Sequence, residues 1–371
     1  MIDTLVYYGY FTFGLYSLIL ILAGTPLNLL CLYIFKRHLP NRSNPTIIVF
    51  SYLALVELLI PFTWNLNYVI RELIWKRQKN VAIKNLEQHS MLICKLISYG
   101  AYFSLECGAW LKTLASFTRC VSLHHNWPIK KYISKPHIMH RICWITIFLM
   151  ALINSPTWIV NGKYIASVDK FNQTKTQVAC YRSTFFQFWE IAHLLLYNFI
   201  PFGLMILCNI YIIRHVDESR RRTRKSKMPK SSLAKQSSAN YSNRNSITND
   251  GSRLTKTLVL IAVFFIAFTS PSAIFYIFLG KRVKIHRNLI TMGLSNLATT
   301  SHVSSFIIYW LTSTDFRDVA IGIICCRSSN LHGQTTADKH KERNVSIRPS
   351  LPLLRLPSST NQETLTSVQA S

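Results

Sequence analysis

The chain has 371 residues, is 49% hydrophobic with a positive mean hydropathy, and carries a formal net charge of +27. A soluble protein of this length spreads its apolar residues over amphipathic elements in about two domains. Here they gather into runs of roughly twenty, the length that crosses a ~30 Å hydrocarbon core. The charge does not mark a nucleic-acid binder, because the cations flank those runs and are densest in RRRTRKSK, Arg220–Lys227, between the fifth run and the sixth.

In chain order the runs are Phe11–Phe35, Thr46–Ile70, Met91–Leu123, Met139–Val160, Glu190–Arg214, Leu254–Leu279 and Asn288–Thr312. Backbone groups inside lipid must pair within their own segment, so each run is expected to be a helix. The fold class is an all-α membrane protein, a seven-helix bundle. The first run is too long for a signal-peptide core and no small-residue cleavage site follows it, so it is expected to remain as a spanning helix. Lys and Arg favour the loops after the first, third and fifth runs and the tail. That puts the N-terminus outside and the C-terminus in the cytoplasm.

This orientation sorts the cysteines. Cys94 opens the third run on the outer side and Cys180 lies in the outer loop after the fourth. The other seven fall within helices or inside, so a Cys94–Cys180 disulfide is expected. The sequon Asn172-Gln-Thr sits in the same outer loop and is a candidate glycan site. Sequons at Asn41, Asn240 and Asn344 fall inside.

The organisation is a short outer N-terminus (1–10), a seven-helix domain (11–326) and a tail (327–371). The loop 214–253 is basic, rich in Ser and Asn and nearly free of aromatics, and is expected to be disordered, as is the tail. In TDFRDVAIGIICC, Phe316, Val319, Ala320, Ile323 and Ile324 fall on one helical stripe, with Asp315, Arg317 and Asp318 off it. This predicts a short amphipathic eighth helix on the inner surface. Cys325 and Cys326 end it and are candidate palmitoylation sites.

The runs carry motifs in a fixed order. The first holds GTPLN, ending at Asn28. The second holds SYLALVELL, with Glu57. Arg119 lies 25 residues after Cys94. Trp144 and Pro156 mark the fourth and Pro201 the fifth. The sixth has Phe265 and then FTSP, ending at Pro271, and the seventh has SFIIYWLTSTDFR, with Tyr309. Over residues 11–326 this set resembles the rhodopsin-like (class A) G protein-coupled receptors. The SFIIY…FR ending and Trp110-Leu111 look most like invertebrate peptide receptors of the FMRFamide-like kind.

The resemblance implies a plasma-membrane receptor that binds an extracellular ligand and activates a heterotrimeric G protein, without cofactor or catalysis. It makes Arg119 the residue that closes the inner end of the bundle and meets the G protein. The tail Ser/Thr, among them Ser358, Ser359 and Thr364, would bind arrestin once phosphorylated. Arg214–Lys230 would meet the G protein and acidic lipid. Two other readings stay open. One is a receptor fold serving as a non-coupling scavenger or partner subunit. The other is a transporter, against which stands the absence of repeated halves.

Several positions depart from the family's pattern. Thr118 and Cys120 flank Arg119 where an acid and a tyrosine are usual, so elevated basal activity is expected. Glu57 stands where the family has Asp and holds a sodium ion. Lys112 sits mid-helix where the family is apolar. A lysine buried there must find a partner or lose its proton. Either Glu57 pairs with it, its ammonium replacing the sodium, or it faces a water-filled cavity. Thr269 replaces the usual Trp, while Pro271 keeps the hinge.

Candidate pocket residues are Tyr102, Glu106, His193, Tyr197, Phe275, Tyr276 and Thr299. Ala101 stands where amine receptors have Asp, and Thr299 where opsins have their retinal Lys, so neither chemistry is expected. Glu106 has two readings, receiving a cationic group of a peptide or bonding neighbouring helices. The outer loops are basic and would steer an acidic ligand inward.

Overall fold

Seven helical segments account for the apolar runs in the computed structural model, which describes residues 2–39, 44–77, 85–124, 127–168, 174–181, 183–226, 238–279, 282–283 and 286–325. The first is α1, Ile2–Arg37, so the first ten residues, expected to be a short N-terminal segment, are helical from Ile2 on. Lys36 and Arg37 in its last turn complement the negative end of the helix dipole. The second starts at α2, Pro45–Glu57. Asn44 caps it by accepting the Thr46 N–H at 3.0 Å, and Pro45 fills a first turn that needs no N–H. Pro61 interrupts the ladder in a 3₁₀ turn, after which α3 (Trp64–Val69) and a π turn (Ile70–Ile74) complete the segment.

The third segment is α4, Met91–Leu123, capped by Ser90 on the Ile93 N–H. A short α5 (Ile129–Ile133) precedes the fourth, α6, Pro136–Val160. An outer hairpin follows, β1 (Lys163–Val168) antiparallel to β2 (Thr174–Ala179), with Lys163 opposite Ala179. The fifth segment is α7 (Thr184–Leu194), a π turn (Leu195–Phe199) and α8 (Ile200–Ser226). The sixth is α9 (Ser238–Ile274) with a π turn at Phe275–Leu279. The seventh is α10 (Arg287–Val303) and α11 (Ser305–Thr312), followed by α12, Thr314–Ile324. Residues 1–321 form one compact unit and 322–371 a second, described only over 322–325.

Five of the seven segments are long and apolar enough to cross a membrane by length and composition alone. The other two are α4 and the α10–α11 pair. The first carries Glu106, Lys112 and Arg119, and the second is divided at Ser304. Both turn polar side chains into the bundle, among them Glu106 and Lys112 of α4 and Asn296 and His302 of α10. α4 packs against α2, α6 and α8. Ile60, Leu105, Ala109, Tyr197, Met205, Ala262 and Phe265 form a buried apolar cluster around it. Leu22, Phe148, Ile159 and Leu207 stay exposed on the outside of the bundle, where lipid replaces water as the solvent.

The Cys94–Cys180 disulfide is present, with a Cα–Cα distance of 6.1 Å, and fastens the strand β2 end to α4. Gly162, between α6 and β1, has φ +85°; a Cβ there would sit 2.4 Å from Met91 Sδ. The left-handed φ, more than the contact with the movable Met91 side chain, is what favours glycine here.

One expectation is modified. Of the loop expected to be disordered over 214–253, the margins are helical, to Ser226 and from Ser238. Arg and Lys are good helix formers and favour the first of these stretches, while the second, rich in Ser and Asn, continues the sixth helix and so avoids a new nucleation step. Residues 227–237, Asn172 and everything from Cys326 on lie outside the described residues.

Candidate functional site

A charged centre lies inside the bundle. Lys112 of α4 and Glu57 at the end of α2 are each 1% exposed, with Nζ 2.8 Å from Oε1. Ser305 Oγ donates to the same oxygen at 3.1 Å. The unpaired, cavity-facing lysine is therefore not what forms. A bare ammonium at this depth would lose more solvation than a cavity returns, whereas a carboxylate within contact distance compensates it.

A third group completes the centre. His302 of α10 is fully buried, with Nδ1 2.8 Å from Lys112 Nζ. An ammonium carries donors only, so Nδ1 accepts and the ring hydrogen is assigned to Nε2. That N–H points at Tyr197 Oη, 3.2 Å away. The 3.3 Å approach of Nδ1 to Glu57 Oε1 is then that of two acceptors sharing one ammonium. Phe265 of the sixth helix covers the ammonium, its ring centroid 4.8 Å from Nζ, in cation–π contact. Sequence reasoning missed His302. A signal existed: Thr299, His302 and Ser305 recur every third residue and so share a face of the seventh helix.

One level further out, Glu106 is fully buried and both oxygens are taken. Oε2 accepts from Asn154 Nδ2 at 2.7 Å, and Oε1 is 2.7 Å from His193 Nδ1. Of its two readings, the structure therefore favours bonding to neighbouring helices. His193 packs edge-on against Tyr102, with centroids 4.7 Å apart, and stacks on Tyr197. Tyr102 continues into an aromatic group with Trp64, Phe186 and Trp189. Ala101 beside it is buried and offers no charge. Four predicted pocket residues (Tyr102, Glu106, His193, Tyr197) are thus brought together. Phe275 and Tyr276 meet edge-on in the π turn of the sixth helix, the first buried and the second exposed. Thr299 belongs to another network, donating to Asn65 Oδ1 at 2.9 Å beside the Asn65–Asn296–Ser17 chain. It ties the second and seventh helices together.

At the inner end Arg119 is half-buried. The Thr118 hydroxyl donates to the Ala115 carbonyl of its own helix at 2.9 Å. Tyr309 is buried in an aromatic group with Phe35, Phe50 and Phe316. Asn28 is fully buried in α1. Around Pro271, Thr269 and Ser270 donate to the carbonyls of Phe265 and Ile266, both at 2.6 Å. Such back-bonding beside a proline bends a helix, so the sixth keeps its hinge without a large residue at Thr269.

The outer rim holds two further buried acids, Glu72, paired with Arg71 and Lys76, and Glu87. Glu87, in the loop before α4, is 6% exposed and accepts from Asn67 Nδ2 at 2.7 Å. Cys180 Sγ lies 3.5 Å from its carbonyl oxygen. Burial pushes its carboxyl up from 4.5 to about 7, against the opposing pull of Arg71 and a hydrogen bond from Tyr181. A folded-state value above the unfolded one means that the native state holds its proton longer. Stability therefore falls as pH rises from about 4.5 to about 7 and levels off beyond, by about 3 kcal/mol in all. The thermal midpoint of the purified protein should be lower at pH 8 than at pH 5, and Glu87→Gln should remove that part of the difference. An identical pH dependence in the variant would refute the assignment.

The family model described as "7 transmembrane receptor (rhodopsin family)" matches residues 27–314. A comparison with curated proteins finds no match.

Proposed function

Because the chain belongs to the rhodopsin family of seven-transmembrane receptors, we propose that it binds an extracellular neuropeptide and activates a heterotrimeric G protein. The observation that carries this reading is the Lys112–Glu57–His302 centre, which joins the second, third and seventh helices under a ring of the sixth. Ionisable groups at such depth are costly and mark function. A centre spanning several helices is what a bundle with two arrangements would be built on.

In this reading the N-terminus faces outside, the C-terminus the cytoplasm, and the membrane is the plasma membrane. The likeness to FMRFamide-like receptors supports a peptide. Both oxygens of Glu106 are taken by Asn154 and His193, so a ligand would meet this level through the His193–Glu106 pair rather than through a free carboxylate. Arg119 and the Lys/Arg-rich end of α8 would meet the G protein, and the tail would meet arrestin.

The test is G protein dissociation in cells across the main G protein classes, without ligand and with an amidated-peptide library. Native receptor is compared with Arg119→Ala at matched surface expression. A signal present in the native chain and lost in the variant is expected. A signal indifferent to Arg119 would overturn the coupling role. Peptide binding with no signal in any class would make the chain a scavenger.

A further inference from the structure

The outer carboxylate and the inner charged centre are not separate. Glu106 bonds His193, and the His193 ring lies flat on Tyr197, with centroids 5.3 Å apart and planes 8° off parallel. The Tyr197 hydroxyl takes the His302 Nε2 hydrogen, and His302 Nδ1 takes one from Lys112. Tyr197 thus touches both levels. Phe265 reads the lower one. Its ring meets Tyr197 edge-on at 5.6 Å, His302 at 5.7 Å and the ammonium at 4.8 Å. Tyr197, His302 and Lys112 therefore all bear on one ring of the sixth helix. The other route down that helix is weak, because Thr269 is small and its hydroxyl is spent on the Phe265 carbonyl.

We propose that Tyr197 is a positioning residue that conveys the state of the His193–Glu106 pair to the Lys112–Glu57–His302 centre and, through Phe265, to the sixth helix. The proposal rests on the receptor reading above. His193 is the member of the outer pair that reaches a solvent-accessible surface, 13% exposed against none for Glu106. A ligand group that donates a hydrogen bond to the pair, such as an ammonium, guanidinium or hydroxyl, draws the imidazole off the Tyr197 face. When Tyr197 follows, His302 Nε2–H loses its acceptor. A buried donor left so is unstable, so the ring turns. Lys112 then loses one of its two acceptors and shifts beneath Phe265. Coupling of this kind needs a discrete element that both ends bias, and Tyr197 with Phe265 supplies it.

The test uses the purified full chain in nanodiscs, with Cys325 and Cys326 replaced by serine and bimane attached at Lys256→Cys, an exposed site at the inner end of the sixth helix. The probe reports helix movement without ligand or G protein. His193→Ala and Tyr197→Phe should each shift its emission in the same direction, and the double variant no further than the larger single. His302→Gln should likewise abolish the response to His193→Ala. Phe188→Ala, on the exposed face of α7, should leave the probe unmoved. Tyr197→Phe keeps the ring, so folding is preserved while the hydroxyl is lost.

Additive shifts, an unmoved probe in Tyr197→Phe, or no response to His193→Ala would overturn the proposal. The two readings fail separately. Non-additive shifts without G protein dissociation would leave the relay standing and remove the coupling. Dissociation with additive shifts would do the reverse.

Discussion

Lys112→Met will destabilise the protein by about 3–5 kcal/mol, and adding Glu57→Gln will restore most of the loss. In the native chain the ammonium is held by Glu57 and His302 and covered by Phe265. Methionine keeps the volume of the lysine stem but leaves a carboxylate with less than 2% exposure facing a serine hydroxyl and an imidazole. Glutamine at 57 removes that charge while still accepting from Ser305. Thermal midpoints of the three purified proteins check the order: native highest, double variant close, single variant well below. A single variant as stable as the double would show that no uncompensated charge is left.

A second readout concerns ions. In Lys112→Met the atoms that surrounded Nζ become free to bind a small cation. Its midpoint should rise in sodium chloride over choline chloride, while the native protein is indifferent. Equal sodium sensitivity of the two would sink the view that Lys112 stands in for the ion.

Thr118→Asp will lower ligand-free signalling about 3- to 20-fold, the range that follows from the ~0.6–1.7 kcal/mol typical of polar pairs within membranes. Thr118 spends its hydroxyl on the Ala115 carbonyl and brings no charge to the neighbouring guanidinium. An aspartate adds a carboxylate one residue from Arg119, and an arrangement in which the two pair competes with the open bundle. The measurement is basal G protein dissociation at matched surface levels, with Thr118→Asn as the uncharged control. Equal basal signals from native and Thr118→Asp would defeat the idea.

Much of this architecture is legible in the residues because lipid narrows the choices. Seven long apolar runs leave the backbone no alternative to helices, and the two outer cysteines leave the disulfide no alternative pairing. The Lys112–Glu57 contact was legible only as one of two readings, because a buried ammonium needs either a partner or a water-filled cavity and the residues alone do not choose between them. His302 was not. A histidine in a polar helix carries no obligation of its own, and its role exists only once Lys112 and Tyr197 approach from helices far away in sequence. Glu106 was ambiguous because its two partners, Asn154 and His193, sit 48 and 87 residues downstream. Thr299 was assigned to the ligand pocket from the family pattern, but its neighbour proved to be Asn65 of the second helix. The runs of α4 and the seventh segment looked like the others in outline. Their inward charges and the break at Ser304 distinguish them only when the bundle assembles around them.

The π turns at Ile70–Ile74, Leu195–Phe199 and Phe275–Leu279 sit in the outer halves of the second, fifth and sixth segments. A π turn is an α-helix with one residue inserted. Removing one residue there restores the ordinary ladder and rotates everything beyond it by about 100°, while the inner half keeps its phase. Within Leu195–Phe199 such a deletion would swing His193 away from Glu106 and leave Pro201 onward in place. A single-residue indel within Leu195–Phe199 would thus let a lineage re-aim the side chains of α7 over an unaltered inner half, whereas the other two π turns end their segments and leave little helix beyond them to turn.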